Sequence, residues 1–265
     1  MKKLFLFITI ILVLIYLDNI LISSNEITIE IQNLPDSFEG VKVVQISDLH
    51  DSTFGNNQKR LVKKIKRANP DYIFITGDII DSSRYDLQNS IDLVEKIKEI
   101  APIFYVTGNH EIATEDTKRI KEALFNLDVQ VLSNQMVWLE KEQEKIRIIG
   151  IEDPLNGVEV ADALAEFPTV EYPTIVLSHR PEFFDVYVNN QLDVVFSGHA
   201  HGGQFRVPGL GGVFAPGQGL FPKYTAGAYK EERTTMVVSR GLGNSIIPIR
   251  IFNMPEIVLA TLTKK

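Results

Sequence analysis

Cysteine is absent from the 265 residues. That excludes disulfides, thiolate metal sites and a cysteine nucleophile, so any metal must sit on His, Asp, Glu, Asn or water. A positive excess is missing too: 27 Lys and Arg stand against 34 Asp and Glu, a formal net charge of −7. Gripping a phosphate backbone relies on Lys and Arg, so no nucleic-acid partner is expected. No low-complexity linker or internal repeat interrupts the chain after Glu26. With 45% apolar residues, the sequence can bury one substantial core.

The N-terminus holds the one long apolar run. Lys2 and Lys3 precede Leu4 to Leu17, then Asp18-Asn19 interrupts and Ile20-Leu21-Ile22 resumes. The uninterrupted part is about 14 residues, near signal-peptide length, and counting through Ile22 reaches about 19, enough to span a bilayer. Large aliphatics precede Ser23 and Ser24, where a cleavage site would need small residues. Residues 1–24 are therefore expected to form a membrane anchor or signal-anchor, with a cleaved signal as the alternative, and residues 25–265 the folded domain. Positive residues before the run, with Asp18 and Glu26 after it, orient the N-terminus inward and place the domain outside the cytoplasm.

Beyond Glu26, short β-branched runs alternate with amphipathic stretches. Strands are expected at Ile27–Ile31, Lys42–Ile46, Tyr72–Thr76, Ile103–Thr107, Ile146–Ile151, Thr174–Ser178, Val194–Ser197, Met236–Ser239 and Ile257–Thr261. Helical patterns cover Asn57–Ala68, Leu87–Ile100, Thr117–Asn126, Val158–Glu166 and Pro181–Val188. The early βαβαβα order implies a largely parallel sheet. The closer spacing of the later strands implies a second, mixed sheet, packed on the first with helices outside.

All five histidines follow a strand or lie in a Gly-rich turn: Asp48-Leu49-His50, Gly108-Asn109-His110, Ser178-His179 and Gly198-His199-Ala200-His201. Gly77-Asp78-Ile79-Ile80-Asp81 ends another strand. Ligands gather beyond the carboxyl ends of strands in open α/β sheets, so these donors converge on one place. A lone histidine would more often be a satisfied core or surface residue; five at strand ends, beside Asp, Asn or one another, are not explained that way.

These segments, in this order and over about 150 residues, resemble the five signature blocks of calcineurin-like metallophosphoesterases. The stretch from His201 to Asn244 resembles a membrane-associated bacterial subgroup that is YkuE/YaeI-like. The resemblance implies a four-layer α/β/β/α sandwich of two mixed β-sheets flanked by helices, and a metallophosphoesterase domain over residues 25–265. It also implies two divalent metal ions, Mn, Fe or Zn. Asp48, His50 and His201 would hold one, Asn109, His179 and His199 the other, with Asp78 bridging. By the same resemblance His110 protonates the leaving oxygen or stabilises the transition state, and Asp81 orients His110 through a hydrogen bond; a turn or helix-cap role is the alternative for Asp81.

Arg180 and Arg240 are candidates for phosphate contacts, with ordinary ion pairs equally expected. The Gly-rich, aromatic stretch Phe205–Tyr229 follows His201 and is expected to wall the site, or else to pack as a small core of its own. Apolar side chains beside metals and a membrane imply a lipid-like phosphoester or pyrophosphate. The basic residues of Gln58–Arg67 would cover a solvated helix face or rest on anionic lipid. The resulting expectation is a membrane-anchored, metal-dependent phosphoester hydrolase using activated water. The alternatives are a nucleotide or cyclic-nucleotide phosphodiesterase or nuclease, and a non-catalytic scaffold, which the complete donor set argues against. The sequence leaves the oligomeric state open.

Overall fold

The computed structural model describes residues 2–245 and 247–265; Met1, the first residue of the expected anchor, and Ile246 lie outside the described residues. Helix α1 (Lys2–Ile20) leads into β1 (Ser23–Ile31), β2 (Lys42–Ile46), β3 (Tyr72–Thr76), β4 (Ile103–Val106) and β5 (Gln130–Val131). Then come β6 (Gln135–Lys141), β7 (Glu144–Ile151), β8 (Thr174–Ser178) and β9 (Val194–Ser197). Two short hairpins, β10 (Arg206–Val207) with β11 (Gly211–Gly212) and β12 (Phe214–Ala215) with β13 (Gly219–Leu220), precede β14 (Gly227–Glu231), β15 (Thr234–Val238) and β16 (Glu256–Lys264). The other helices are α2 (Lys59–Ala68), α3 (Leu87–Ile97), α4 (Asn109–Ala113), α5 (Thr117–Phe125), α6 (Val160–Ala165) and α7 (Phe184–Asn189).

One sheet has the order β1-β16-β2-β3-β4-β5, the other β14-β15-β9-β8-β7-β6. Both are mixed: β2 to β5 run parallel, as do β7, β8, β9 and β15, while β16 opposes β2 and β6 opposes β7. The period-2 alternation of a strand divides the core. Val43, Phe74 and Phe104 face the second sheet, meeting Ile148, Leu177 and Phe196. Val44, Ile73, Ile75 and Ile103 face the other way, onto Leu61 and Ile65 of α2, Val94 of α3 and Ile120 of α5. On the far side, Val176 and Val195 pack against Val160 of α6 and Tyr187 of α7. The expected four-layer sandwich is the observed fold, and its central strands are buried on both faces, as parallel strands between covering layers must be.

Most elements differ from the sequence reading by a few residues at one end or both, and three of the differences have a local cause. β1 begins at Ser23, not Ile27; Ser23 and Ser24 pair with Glu256 and Ile257, so the sheet starts ahead of residue 25. α2 begins at Lys59, because Asn57 and Gln58 have φ of 54° and 61°, which no α-helix contains. Gln58 instead turns its buried amide onto the backbone of Phe54 and Ser52. The Pro181–Val188 pattern divides into a 3-10 turn at Pro181–Phe183 and then α7.

Candidate metal centre

The metal-donor residues lie just past β2, β3, β4, β8 and β9, where the loops are tied to each other. Asp48 and His50 donate their backbone N–H groups to the carbonyls of Gly77 and Asp78, each at 3.0 Å. The His199 N–H reaches both carboxylate oxygens of Asp48, at 3.0 and 3.2 Å. Five of the seven expected ligands, Asp48, His50, Asp78, His199 and His201, have positive φ between 46° and 63°. Non-glycine residues rarely adopt that conformation, and it concentrates where function over-rides local strain. Two glycines make the approach possible: a Cβ on Gly108 would lie 2.2 Å from Asp78 Oδ1, and one on Gly198 would lie 1.9 Å from Ser47 Oγ.

Donor atoms of Asp48, His50, Asp78 and His201 form one buried cluster, and those of Asp78, His179 and His199 a second. In the first, His50 Nε2 lies 3.1 Å from His201 Nε2, and His201 Nε2 lies 3.4 Å from Asp48 Oδ1. In the second, His179 Nε2 lies 3.2 Å from His199 Nδ1. One oxygen joins them: Asp78 Oδ2 is 3.6 Å from His50 Nε2 and 3.2 Å from His179 Nε2. Asn109 Oδ1 is buried without a hydrogen-bond partner, a costly state for an amide oxygen unless a cation takes it. The Thr76 carbonyl accepts from His179 Nδ1 at 2.7 Å, which leaves Nε2 as the ring's outward donor. The residues therefore fit a pair of cations in the charge and type of their donors.

Burial holds His50, His199 and His201 below the usual imidazole range, so these rings are neutral and ready to ligate. His179 differs: burial pulls it down, but the Asp78 carboxylate overrides this and lifts it to about 10. Without a cation, a proton on His179 takes its place beside Asp78.

His110 lies part-exposed at the start of α4, its ring edge-on to His50 with centroids 4.5 Å apart. The expected Asp81–His110 hydrogen bond is not formed, the two being 4.0 Å apart. Asp81 is taken by Ser83 and the Arg84 guanidinium instead, which hold its carboxyl well below the usual range against the opposing effect of burial. His110 Nδ1 accepts from the Ser82 N–H at 3.0 Å. A backbone N–H can only donate, so this contact places the proton of the neutral ring on Nε2, which lies 3.2 Å from Ser245 Oγ.

Two important residues have no role in the sequence reading, Glu111, which adjoins a signature block, and Arg250. Glu111, fully buried, accepts from the N–H groups of Asp78, Ile80 and Gly108 at 2.8, 3.2 and 2.7 Å, binding the loops after β3 and β4 together. Burial and the Asp78 carboxylate push it up to about 7. Arg250, also fully buried, donates to the carbonyls of Arg240 and Gly243 and to Asn244 Oδ1, and ends 3.5 Å from His201 Nδ1. Nothing local in Ile249-Arg250-Ile251 signals this. Of the anticipated phosphate contacts, Arg240 pairs with Glu256, while Arg180 forks onto Asp153 and brings its Nη1 within 3.5 Å of His199 Nε2.

Beside the clusters opens a cleft of about 220 Å³, bordered by Asp78, Asn109, His110, His199 and His201 and walled by Phe214, Pro216 and Ile247. The stretch after His201 thus does both things its composition allowed. Phe214 walls the cleft, while Tyr224 and Tyr229 pack with Phe184 as an extension of the core.

Comparison with known proteins agrees with this geometry. The calcineurin-like phosphoesterase family profile matches residues 41–203. The chain is 30% identical to the metallophosphoesterase YkuE of Bacillus subtilis over 252 residues, covering 93% of this chain and 87% of that one. It is 28% identical to the phosphodiesterase YaeI of Escherichia coli, covering 83% and 82%. It is 30% identical to a transmembrane protein with metallophosphoesterase domain from Danio rerio, covering 88% of this chain but 55% of that longer one. Among solved structures, TT1561 of Thermus thermophilus shares the fold, with a TM-score of 0.50 at 12% identity over 76% of this chain and 90% of that one.

Proposed function

The chain belongs to the calcineurin-like phosphoesterase family, a metal-dependent phosphoester hydrolase by that membership, and from this premise we propose that it cleaves an amphiphilic phosphodiester or pyrophosphate at a membrane surface. The observation that carries the reading is the single carboxylate oxygen of Asp78 shared by two donor clusters at the mouth of an apolar-walled cleft. We assign Asp48, His50 and His201 to one cation, Asn109, His179 and His199 to the other, and Asp78 to both, with Mn, Fe or Zn as the ions.

When bound, such a pair would neutralise phosphoryl charge and lower the pKa of an attacking water towards neutrality. The remaining work falls to this chain's own groups. His110, held by Ser82 as the Nε2–H tautomer, presents that N–H towards the cleft as a hydrogen-bond donor that stabilises the charge developing on the leaving oxygen. Ser245 keeps that N–H hydrogen-bonded until a substrate oxygen replaces it. Asp81 steadies the same loop through Ser83 and Arg84 and acts on His110 only by holding Ser82 in place. Neither Lys nor Arg is among the described residues lining the cleft. That favours a singly charged diester over a dianionic monoester. Phe214, Pro216 and Ile247 offer an apolar wall to an acyl or isoprenoid portion.

α1 supplies the location. It is 19 residues long, about 28 Å at 1.5 Å per residue, and its side chains are almost all exposed. We assign it to the bilayer, with Lys2 and Lys3 on the cytoplasmic side and the domain outside.

The test uses the full-length protein in detergent, stripped of metal and resupplied with manganese, acting on aryl phosphodiester and monoester. Restored turnover that favours the diester, and that falls about a hundredfold or more in His110→Ala, is the expected result. A folded protein that takes up no divalent metal would overturn the assignment.

A further inference from the structure

Three surfaces meet where α1 joins the domain. The helix is bare from Lys2 to Leu14, and in its last turns Ile15, Leu17, Asn19 and Ile20 are half-buried and Asp18 is buried. Asp18 accepts from the Phe252 N–H, and the Asn19 amide pairs with both backbone groups of Arg250, each at 2.9 Å. The exit from α1 is therefore fixed against loop 249–252, whose Ile249 and Phe252 side chains are exposed.

From that loop an apolar edge continues. Phe205 bridges to Ile251, and the Arg206 N–H donates to the Ile251 carbonyl at 3.0 Å, which sets the β10–β11 and β12–β13 hairpins beside it. These hairpins carry Leu210, Leu220 and the following Phe221 at 75%, 71% and 69% exposure. Side chains of this size, so exposed on two hairpins that follow one another directly, mark a surface built to be covered. On the other side of the exit lies the basic face of α2. The Arg60 guanidinium donates to the Ile20 carbonyl, and Leu21 and Ile22 share a shallow groove with Lys63 and Arg67.

We infer that the domain lies down on an anionic phospholipid surface, with the apolar hairpin edge and the basic face of α2 both docked around the point where α1 enters the bilayer. The inference rests on the reading of α1 as a membrane segment. Continuity names the occupant: an edge fixed beside α1 meets whatever surface α1 enters. Charge complementarity names its type, since each Lys or Arg near an anionic headgroup layer strengthens binding about fivefold. Phe214 and Ile247, which wall the cleft, neighbour the docked hairpins and loop, so the cleft opens along the headgroup layer. A phosphoester in the bilayer then reaches the metal-donor residues without leaving its leaflet.

The test is made on the full-length chain in vesicles of phosphatidylcholine, with or without phosphatidylglycerol. Trp138 is the chain's one tryptophan, so a Trp138→Phe, Leu220→Trp variant carries a single reporter at the hairpin edge. We expect it to float with the vesicles and to be quenched by lipids brominated in the upper acyl chain, more strongly when phosphatidylglycerol is present. Leu210→Ser with Leu220→Ser should raise KM for a vesicle-embedded phosphodiester about tenfold or more while leaving a soluble aryl phosphodiester unaffected. Lys63→Glu with Arg67→Glu should abolish the dependence on phosphatidylglycerol. A protein that floats with vesicles but whose reporter at 220 is unquenched overturns the docking and leaves the anchor standing. A protein that does not float overturns the anchor and the docking with it.

Discussion

Asn19 sits at the end of a helix assigned to the bilayer, yet its substitution should slow hydrolysis of a soluble substrate. Its amide makes two hydrogen bonds to the Arg250 backbone, and that loop carries the buried guanidinium beside His201 and, a few residues earlier, Ser245 against His110. Asn19→Ala removes both bonds, at about 1 kcal/mol each, so the clasped loop loses about 2 kcal/mol relative to open forms. By mass action that is about thirtyfold in the clasped-to-open ratio, an upper bound on the fall in kcat/KM. We expect a loss between about threefold and thirtyfold for an aryl phosphodiester in detergent, with metal content unchanged. Amide exchange in residues 244–253 should quicken in parallel. Wild-type kcat/KM in Asn19→Ala, with exchange in that loop accelerated, would refute the argument, because the loop would then be loose without consequence. The same contacts bear on truncation: a fragment starting at Asn25 lacks the clasp and also the first two residues of β1, so it should be the weaker enzyme.

Loading the metal-free protein with manganese at pH 8 should release about two protons, one from His179, which is raised to about 10 and must give up its proton to ligate, and one from the water whose pKa the cations lower. Titration calorimetry in buffers of different ionisation enthalpy reads that number directly. The same raised value adds stability to the metal-free protein that is complete below pH of about 6.5 and lost as pH rises through about 10; urea unfolding across that range should show the decline, and a flat profile would remove the His179–Asp78 pair as its cause. Gly108→Ala places a Cβ 2.2 Å from Asp78 Oδ1, so the shared carboxylate must move by roughly an ångström, and kcat should fall about a hundredfold with weakened metal uptake. Glu111→Gln leaves at least one of three backbone N–H groups without its charged acceptor and should cost about 3 kcal/mol of unfolding free energy, readable in denaturant melts.

The parts legible in the sequence were those with local causes. Lys42–Ile46 and Tyr72–Thr76 read as strands because β-branched runs are followed by Ser-Asp and Gly-Asp, and those polar ends located the donor residues as well. Edge strands were less legible. β6 and β14 carry Gln135, Glu140, Lys230 and Glu231 on half-exposed faces, so their apolar pattern is diluted. Arg250 and Asn19 were invisible for a different reason: they meet across 231 residues of chain. Asp18-Asn19 read as a polar interruption at headgroup depth, whereas Asp18 is buried against Phe252. The Asp81 contact failed because Arg84, three residues on, competes for the same carboxylate, and spacing alone could not rank the two.

The position of β16 has a consequence for how the protein is made. The last strand lies between the first and the second, parallel to β1 and antiparallel to β2, so β1 has no sheet to join until nearly the whole chain has left the ribosome. If α1 enters the bilayer as it emerges, β1 waits at the membrane with both of its edges unpaired, and β2 waits with one. Completion is then a closing event, in which the C-terminal segment threads into a slot whose two walls come from opposite ends of synthesis. Loss of β16 would not fray a terminus; it would split the first sheet between β1 and β2.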